Sequence, residues 1–274
     1  MSQVAGEGRA PLVDTHCHLT LLEREGLLRR AFDGAAAAGV ENIVAVGLDL
    51  DDSLRCRDIA AAHPGVVFSA GWHPHQTASP DRAQLKALDE LLDDPRAVAV
   101  GEIGIDLFFR PGYHEAPLDV QLRSFRAMLE LAAAHAKPVL VHDRDAHEEV
   151  IDAVREARAR GIMHCFSGDG AHAQRCVDAG FVISFAGIVT FPRAESLREA
   201  AAVCPEDAFV VETDSPFLAP VPHRGTTNLP ERVADTAAAI ASIRDLPVAT
   251  VRAATTATAR RILQIQAGHG VVGG

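Results

Sequence analysis

Residues 11–19 read PLVDTHCHL, a short apolar run that ends in an acid and two histidines spaced one residue apart. Such a run, followed by helix-patterned sequence, opens a βα unit. In an open doubly wound sheet the turn after the first strand would carry a Gly-rich phosphate fingerprint. Here it carries DTHCHL, and no GxGxxG or Walker sequence occurs elsewhere. Seven more runs rich in Val, Ile and Phe follow: NIVAVGL (42–48), VVFSAGW (66–72), AVAVGEI (97–103), KPVLVH (137–142), GIMHCF (161–166), FVISFAG (181–187) and AFVVETD (208–214). Helical spacing fills the intervals near 27–38, 53–62, 81–93, 116–135, 146–159, 171–179 and 195–203, and resumes at 230–243 and 248–264. Eight strand and helix units predict an α/β fold, a (β/α)8 TIM barrel with an additional C-terminal helix.

The length of 274 residues is close to the ~250 of one such barrel. Linker-like composition is confined to the two ends and to APVPHRGTTNLP (219–230). Residues 1–274 therefore read as a single domain with a core of about 11–265 and flexible ends at 1–10 and 266–274. With 48% hydrophobic and 23% charged residues the chain can bury a large core. The opening MSQVAGEGRA has no apolar core of signal-peptide length, and no stretch approaches the ~18 unbroken apolar residues of a membrane span. A cytoplasmic protein is expected, with no membrane contact and no evident obligate protein partner. Five cysteines without a CxxC pair suggest neither a disulfide framework nor a thiolate cage. A net charge of −11 argues against a broad basic face, so a polyanionic substrate would have to be gripped locally.

The polar residues fall where a barrel would gather them. Asp14, His16 and His18 end the first strand, His73 and His75 the third, and Glu102 and Asp106 the fourth; His142 ends the fifth, His164 lies late in the sixth and Asp214 ends the eighth. The C-terminal strand ends of a barrel share one rim, where active sites sit. Alternation along a strand points His16 and His18 the same way, and likewise Val98, Val100 and Glu102, and Val210, Glu212 and Asp214. Imidazoles and carboxylates are the usual ligands of zinc, manganese and related divalent ions, and six groups exceed the needs of one four-coordinate ion. Two ions ~3.5–4 Å apart need a shared anion. Lys86 lies in a helix pattern and Lys137 at the start of its strand, so neither suits a carboxylated-lysine bridge, which leaves Glu102. Cys17 and Cys165 adjoin proposed ligands but alternate to the other face, as small buried hydrophobes. His63, His114, His135, His147, His172 and His269 fall in helix or loop contexts and are expected at the surface.

In order along the chain, DTHCHL (14–19), GWHPH (71–75), GEIGID (101–106), PVLVHDRDA (138–146), HCFSG (164–168), ETDSPFLAP (212–220) and the RG of HRGTTNLP (223–230) resemble the TatD family of metal-dependent deoxyribonucleases, among the amidohydrolase-type barrels. The resemblance implies that His16, His18 and Asp214 hold one divalent ion, that His142 and His164 hold a second, and that Glu102 bridges them, with magnesium, manganese or zinc as the ions. It places His73, His75, Arg144, Arg224 and Asn228 on the substrate side, and Asp106 behind the ligands in support, a role Asp14 shares by position. The chain departs from the family pattern at Leu107 and Phe108, where tyrosine is frequent; at Thr226 and Thr227, where RGKxN has a lysine; and at Thr256–Ala259, which replaces TxNA.

The resemblance implies a 3'-5' deoxyribonuclease that cleaves single-stranded or frayed DNA with a metal-bound hydroxide, Asp214 orienting the water and taking its proton. The alternative is hydrolysis of a small-molecule ester, lactone or amide, or of aminoacylated RNA, by the same two-metal site.

Overall fold

The structure, a computed structural model, describes residues 10–108 and 113–266. Eight parallel strands pair in chain order: β1 (Leu12–Cys17), β2 (Val40–Val46), β3 (Val66–Ala70), β4 (Ala97–Asp106), β5 (Val139–Arg144), β6 (Gly161–Met163), β7 (Phe181–Phe185) and β8 (Phe209–Val211). Between them run α1 (Leu19–Arg24), α2 (Leu28–Ala38), α3 (Leu50–Ala62), α4 (Arg82–Leu91), α5 (Leu118–Ala134), α6 (His147–Glu156), α7 (Gly170–Asp178) and α8 (Glu195–Val203); α9 (Val233–Arg244) and α10 (Val248–Leu263) follow β8. The result is the predicted (β/α)8 barrel, nearly closed, with its additional C-terminal helix. The ends expected to be flexible lie outside the described residues apart from residues 10 and 266, as does His269. No helix among the described residues is long and apolar enough to cross a membrane.

Alternating side chains divide the core in two. Val13, Val44, Val46, Val98, Ala99, Leu140, Ile162, Val182 and Val210 fill the interior, joined there by Ala259, Ile262 and Leu263 of α10 and by Ile265. The other strand faces, including Ile43, Phe68, Val141, Ile183 and Phe209, pack on Phe32, Leu88, Phe125, Ile151 and Ile240 of the surrounding helices. The extra helix thus floors the barrel at its N-terminal mouth, opposite the rim. Arg252 of α10 is buried there, donating from Nε to the Ala10 carbonyl at 2.5 Å and from Nη2 to those of Ala38 and Gly39 at 3.0 and 3.4 Å. Lys137 is also at that end, its Nζ on the Ala97 carbonyl at 2.5 Å.

The closing seam differs from the other seven. Between β1 and β8 the backbone contacts are Asp214 N–H to the His16 carbonyl at 2.9 Å and His18 N–H to the Ser215 carbonyl at 2.8 Å, beside a bridge of Cys17 with Ser215. Asp14 reinforces them, accepting from Thr213 N–H at 2.9 Å and from its hydroxyl at 2.6 Å.

Three local expectations are corrected. The apolar run after HxH hid a short helix, α1, which has no side-chain cap to announce it. Strands β6 and β8 stop before His164 and Asp214, whose neighbourhood turns through the left-handed region at Cys165 and Asp214. Val100 does not share an inward row with Val98: it lies in the outer layer, because the pairing of β4 slips against β3 before Ser69 and against β5 after Val100. Arg252→Met removes a buried charged donor from three backbone carbonyls and is expected to lower unfolding free energy by about 3 kcal/mol. The exposed Arg261→Met should stay within about 0.5 kcal/mol of the parent; urea unfolding of the two variants checks both.

Candidate metal centre

Glu102 stands inside β4, which runs on to Asp106, and is 2% exposed. The preceding Gly101 lets β4 approach β5, since a Cβ there would meet Leu140 Cβ at 2.6 Å. The two carboxylate oxygens of Glu102 face different histidines. Oε2 is 3.3 Å from His16 Nε2 and 3.9 Å from His18 Nε2. Oε1 is 2.8 Å from His142 Nδ1, 3.4 Å from His73 Nε2 and 3.7 Å from His164 Nε2. Asp214 Oδ1 joins the first side, 3.1 Å from His18 Nε2, 4.0 Å from His16 Nε2 and 3.8 Å from His164 Nε2. All six expected ligands therefore meet around one carboxylate, and the His16 and His164 rings stack with centroids 3.4 Å apart.

Charge balance explains the cluster. Burial works against ionising Glu102, but His73, His164 and His16 and the bond to His142 outweigh it and hold its carboxyl well below the usual range. Asp214 is likewise held low, burial being overcome by the bond to His18 and the charge of His164. Burial opposes protonation of His142, yet Asp106 and Glu102 push that ring up to about 9; Glu212 and Glu102 push His164 up to about 10 in the same way. Burial instead lowers His73 to about 4.

A ring of supporting groups surrounds these. Asp106 Oδ2 is 2.8 Å from His75 Nε2 and 3.2 Å from His142 Nε2, while Oδ1 accepts from Phe108 N–H at 2.8 Å. Gln121 clamps the Asp106 backbone from both sides. Asp14 touches the centre only through the His16 N–H, at 3.4 Å; burial pushes its carboxyl up to about 8. Glu212, not singled out by sequence, is 2.8 Å from His164 Nδ1 and accepts from the Ser184 hydroxyl at 2.6 Å and the Cys165 N–H at 2.8 Å. It sits one alternation before Asp214, and that spacing was the available signal.

A cavity of about 590 Å³ opens onto the centre. His73, His75 and Arg144 line it. Arg224 does not; it is exposed, its guanidinium 4.3 Å from the centroid of Phe191. Asn228 is corrected: it is fully buried, and its amide donates to the carbonyls of Thr213 and Phe217 at 2.9 and 2.7 Å, which spends it on holding the loop. Where the family loop has lysine, Thr226 Oγ1 and the Thr227 carbonyl instead accept from Arg232 at 2.9 Å each.

Other expectations also change. Cys17 packs in the outer core, whereas Cys165 lines the cavity, because β6 ends at Met163 and the alternation argument ends with it. His114 is buried and stacks on His75 at 4.4 Å, 3.6 Å from Asp106 Oδ1. Tyr113 lies beside it, its hydroxyl accepting from Arg144 at 2.7 Å. An aromatic thus stands near the cavity although positions 107 and 108 lack the family tyrosine. Its loop carries no strand or helix period from which to place it.

The donor set fits divalent ions. His16 is buried, and among the described residues neither ring nitrogen has a hydrogen-bond partner, although Glu102 lies near one. Two ligand triads, His16–His18–Asp214 and His16–Glu102–His164, each bring one donor atom per residue within 4.8 Å of the others. A buried imidazole left unbonded beside carboxylates is costly in a protein-only network and satisfied by a metal.

Comparison with known proteins agrees. The family profile described as TatD related DNase matches residues 13–264. The chain is 39% identical over 262 residues to the uncharacterized metal-dependent hydrolase YcfH of Escherichia coli K12, covering 93% of this chain and 97% of that protein. It is 33% identical over 205 residues to the 3'-5' ssDNA/RNA exonuclease TatD of Salmonella typhimurium, covering 72% and 75%. The crystal structure of YJJV, a TatD homolog from Escherichia coli K12, superposes with a TM-score of 0.87 at 26% identity, over 94% of this chain and all of that one. By sequence and by fold, this chain belongs to the TatD family of metal-dependent hydrolases.

Proposed function

We propose that the chain is a 3'-5' exonuclease that hydrolyses phosphodiester bonds at single-stranded or frayed DNA ends. The observation that carries this reading is Arg144 at the cavity wall, its guanidinium 3.8 Å over the Phe108 ring and bonded to the Tyr113 hydroxyl. A fixed cation between two rings offers a phosphate fork and stacking surfaces for a terminal nucleotide. The Salmonella relative's name supports the same substrate class.

In this reading His16, His18 and Asp214 would hold one divalent ion and His142 and His164 a second, with Glu102 available to both, the ions being magnesium, manganese or zinc. Such ions make water acidic enough to attack near neutral pH and offset charge gathering on the phosphoryl oxygens. They also supply locally the positive charge that an acidic surface lacks. Asp214, ionised and steadied by His18, orients the attacking water and accepts its proton. His73, kept neutral by burial, donates a hydrogen bond to a non-bridging oxygen without adding charge. Arg144 holds the neighbouring phosphate.

The apolar lining of the same cavity, Leu21, Leu48, Ile188, Phe217 and Leu218, favours a second reading. There the same centre attacks the carbonyl of a small ester, lactone or amide, or of an aminoacylated RNA.

Metal-replete protein should release nucleotides from the free 3' end of labelled single-stranded DNA and leave aryl esters and lactones largely intact; the reverse pattern would establish the second reading. Asp214→Asn is expected to lower kcat by about 10³-fold, whereas Arg144→Ala should raise KM about tenfold with a smaller change in kcat. Chelation should lower the Tm of the parent, and saturating MnCl2 should restore it. Glu102→Ala should show a clearly smaller response, and a variant that melts with the same metal dependence as the parent would count against the shared carboxylate.

A further inference from the structure

A second convergence of ligand groups shares no residue with the Glu102 centre. Asp143 follows His142 along β5, and neighbours on a strand point to opposite faces. Its Oδ2 lies 2.8 Å from Nδ1 of His147, one turn on in α6, and 3.2 Å from Nε2 of His172 in α7. The two imidazoles stack with centroids 4.0 Å apart. One donor atom from each of the three residues lies within 4.8 Å of the other two. Cys176, one turn beyond His172 in α7, brings its sulfur to 3.6 Å from the same Nε2.

Both rings converge on Oδ2, while Oδ1 has no hydrogen-bond partner among the described residues. The side chains of Asp143 and His172 are each 8% exposed, so that unmet oxygen belongs to a group with little water to turn to. Three donors aimed at one point, with one carboxylate among them, suit a divalent cation. Nitrogen donors with a thiol alongside select zinc over magnesium.

We propose that Asp143, His147 and His172 hold a further divalent cation, zinc by its donor set, outside the Glu102 centre. The ion ties the end of β5 to the first turn of α6 and to α7, and Asp143 also lines the cavity. It therefore clamps the wall that carries Arg144, whatever the substrate.

The test is the zinc content of metal-stripped, full-length protein dialysed to equilibrium against ZnCl2 and counted by mass spectrometry. The parent should retain one equivalent more than His147→Ala and one more than Asp143→Asn. His147 is partly exposed and Asp143→Asn keeps its shape, so both variants should fold, and circular dichroism checks that they do. Glu102→Ala should still lose one equivalent when His147→Ala is added to it. Because the readout is this difference, it stands apart from how many ions the central site takes. Equal zinc content in the parent and in both folded variants would overturn the proposal.

Discussion

A carboxylate taken out of water at the axis of a barrel costs several kcal/mol unless opposite charge and hydrogen bonds meet it there. Glu102 is in that position, and no single stretch of chain can supply what it needs. His16 and His18 come from the end of β1, His73 from the turn after β3, His142 from β5 and His164 from the turn after β6. Only a ring of parallel strands whose C-terminal ends share a rim brings these side chains within 4 Å of one group. The outer tier has the same logic: Asp106 is shared by His75 and His142, and Glu212 fixes the far nitrogen of His164. Each ring is thereby held in one orientation, which a site for cations requires of its ligands.

The other mouth of the barrel has the opposite character. There α10 inserts Ala259, Ile262 and Leu263 among the interior valines, and its one deeply buried charge, Arg252, is used up on backbone carbonyls that precede β1 and β2. At the rim the cavity is lined by histidines and Arg144 together with the apolar Leu48, Ile188 and Phe217.

The element order was legible in the sequence because strand and helix periods differ and alternate cleanly from PLVDTH to AFVVETD. The meeting of His16, His18, Glu102, His142, His164 and Asp214 was legible because each stands in the C-terminal half of a strand or just past its end. What escaped depends on neighbours rather than on period. The slip that turns Val100 outward arises from the pairing of β4 with β3 and β5, which one strand's pattern does not contain. Cys165 was assigned by an alternation that stops two residues before it. His114 and Tyr113 lie after a stretch with no period, and only the packing against His75 and Arg144 gives them a place. Asn228, read as facing a substrate, has polar chemistry that serves equally well to hold a loop to the barrel. His147 and His172 looked like surface residues because helix spacing alone does not show which side of α6 or α7 faces Asp143.

The seam between β1 and β8 ties the biography of the chain to its chemistry. The first strand already carries His16 and His18 when it is made, but the residues that latch it, Thr213, Asp214 and Ser215, follow far later in the chain, Thr213 standing 199 residues beyond Asp14. A nascent or truncated chain that lacks them has neither a complete cylinder nor Asp214 beside His18. Closing the cylinder and completing the cluster around Glu102 are consequently one event, which waits for the segment that follows β8.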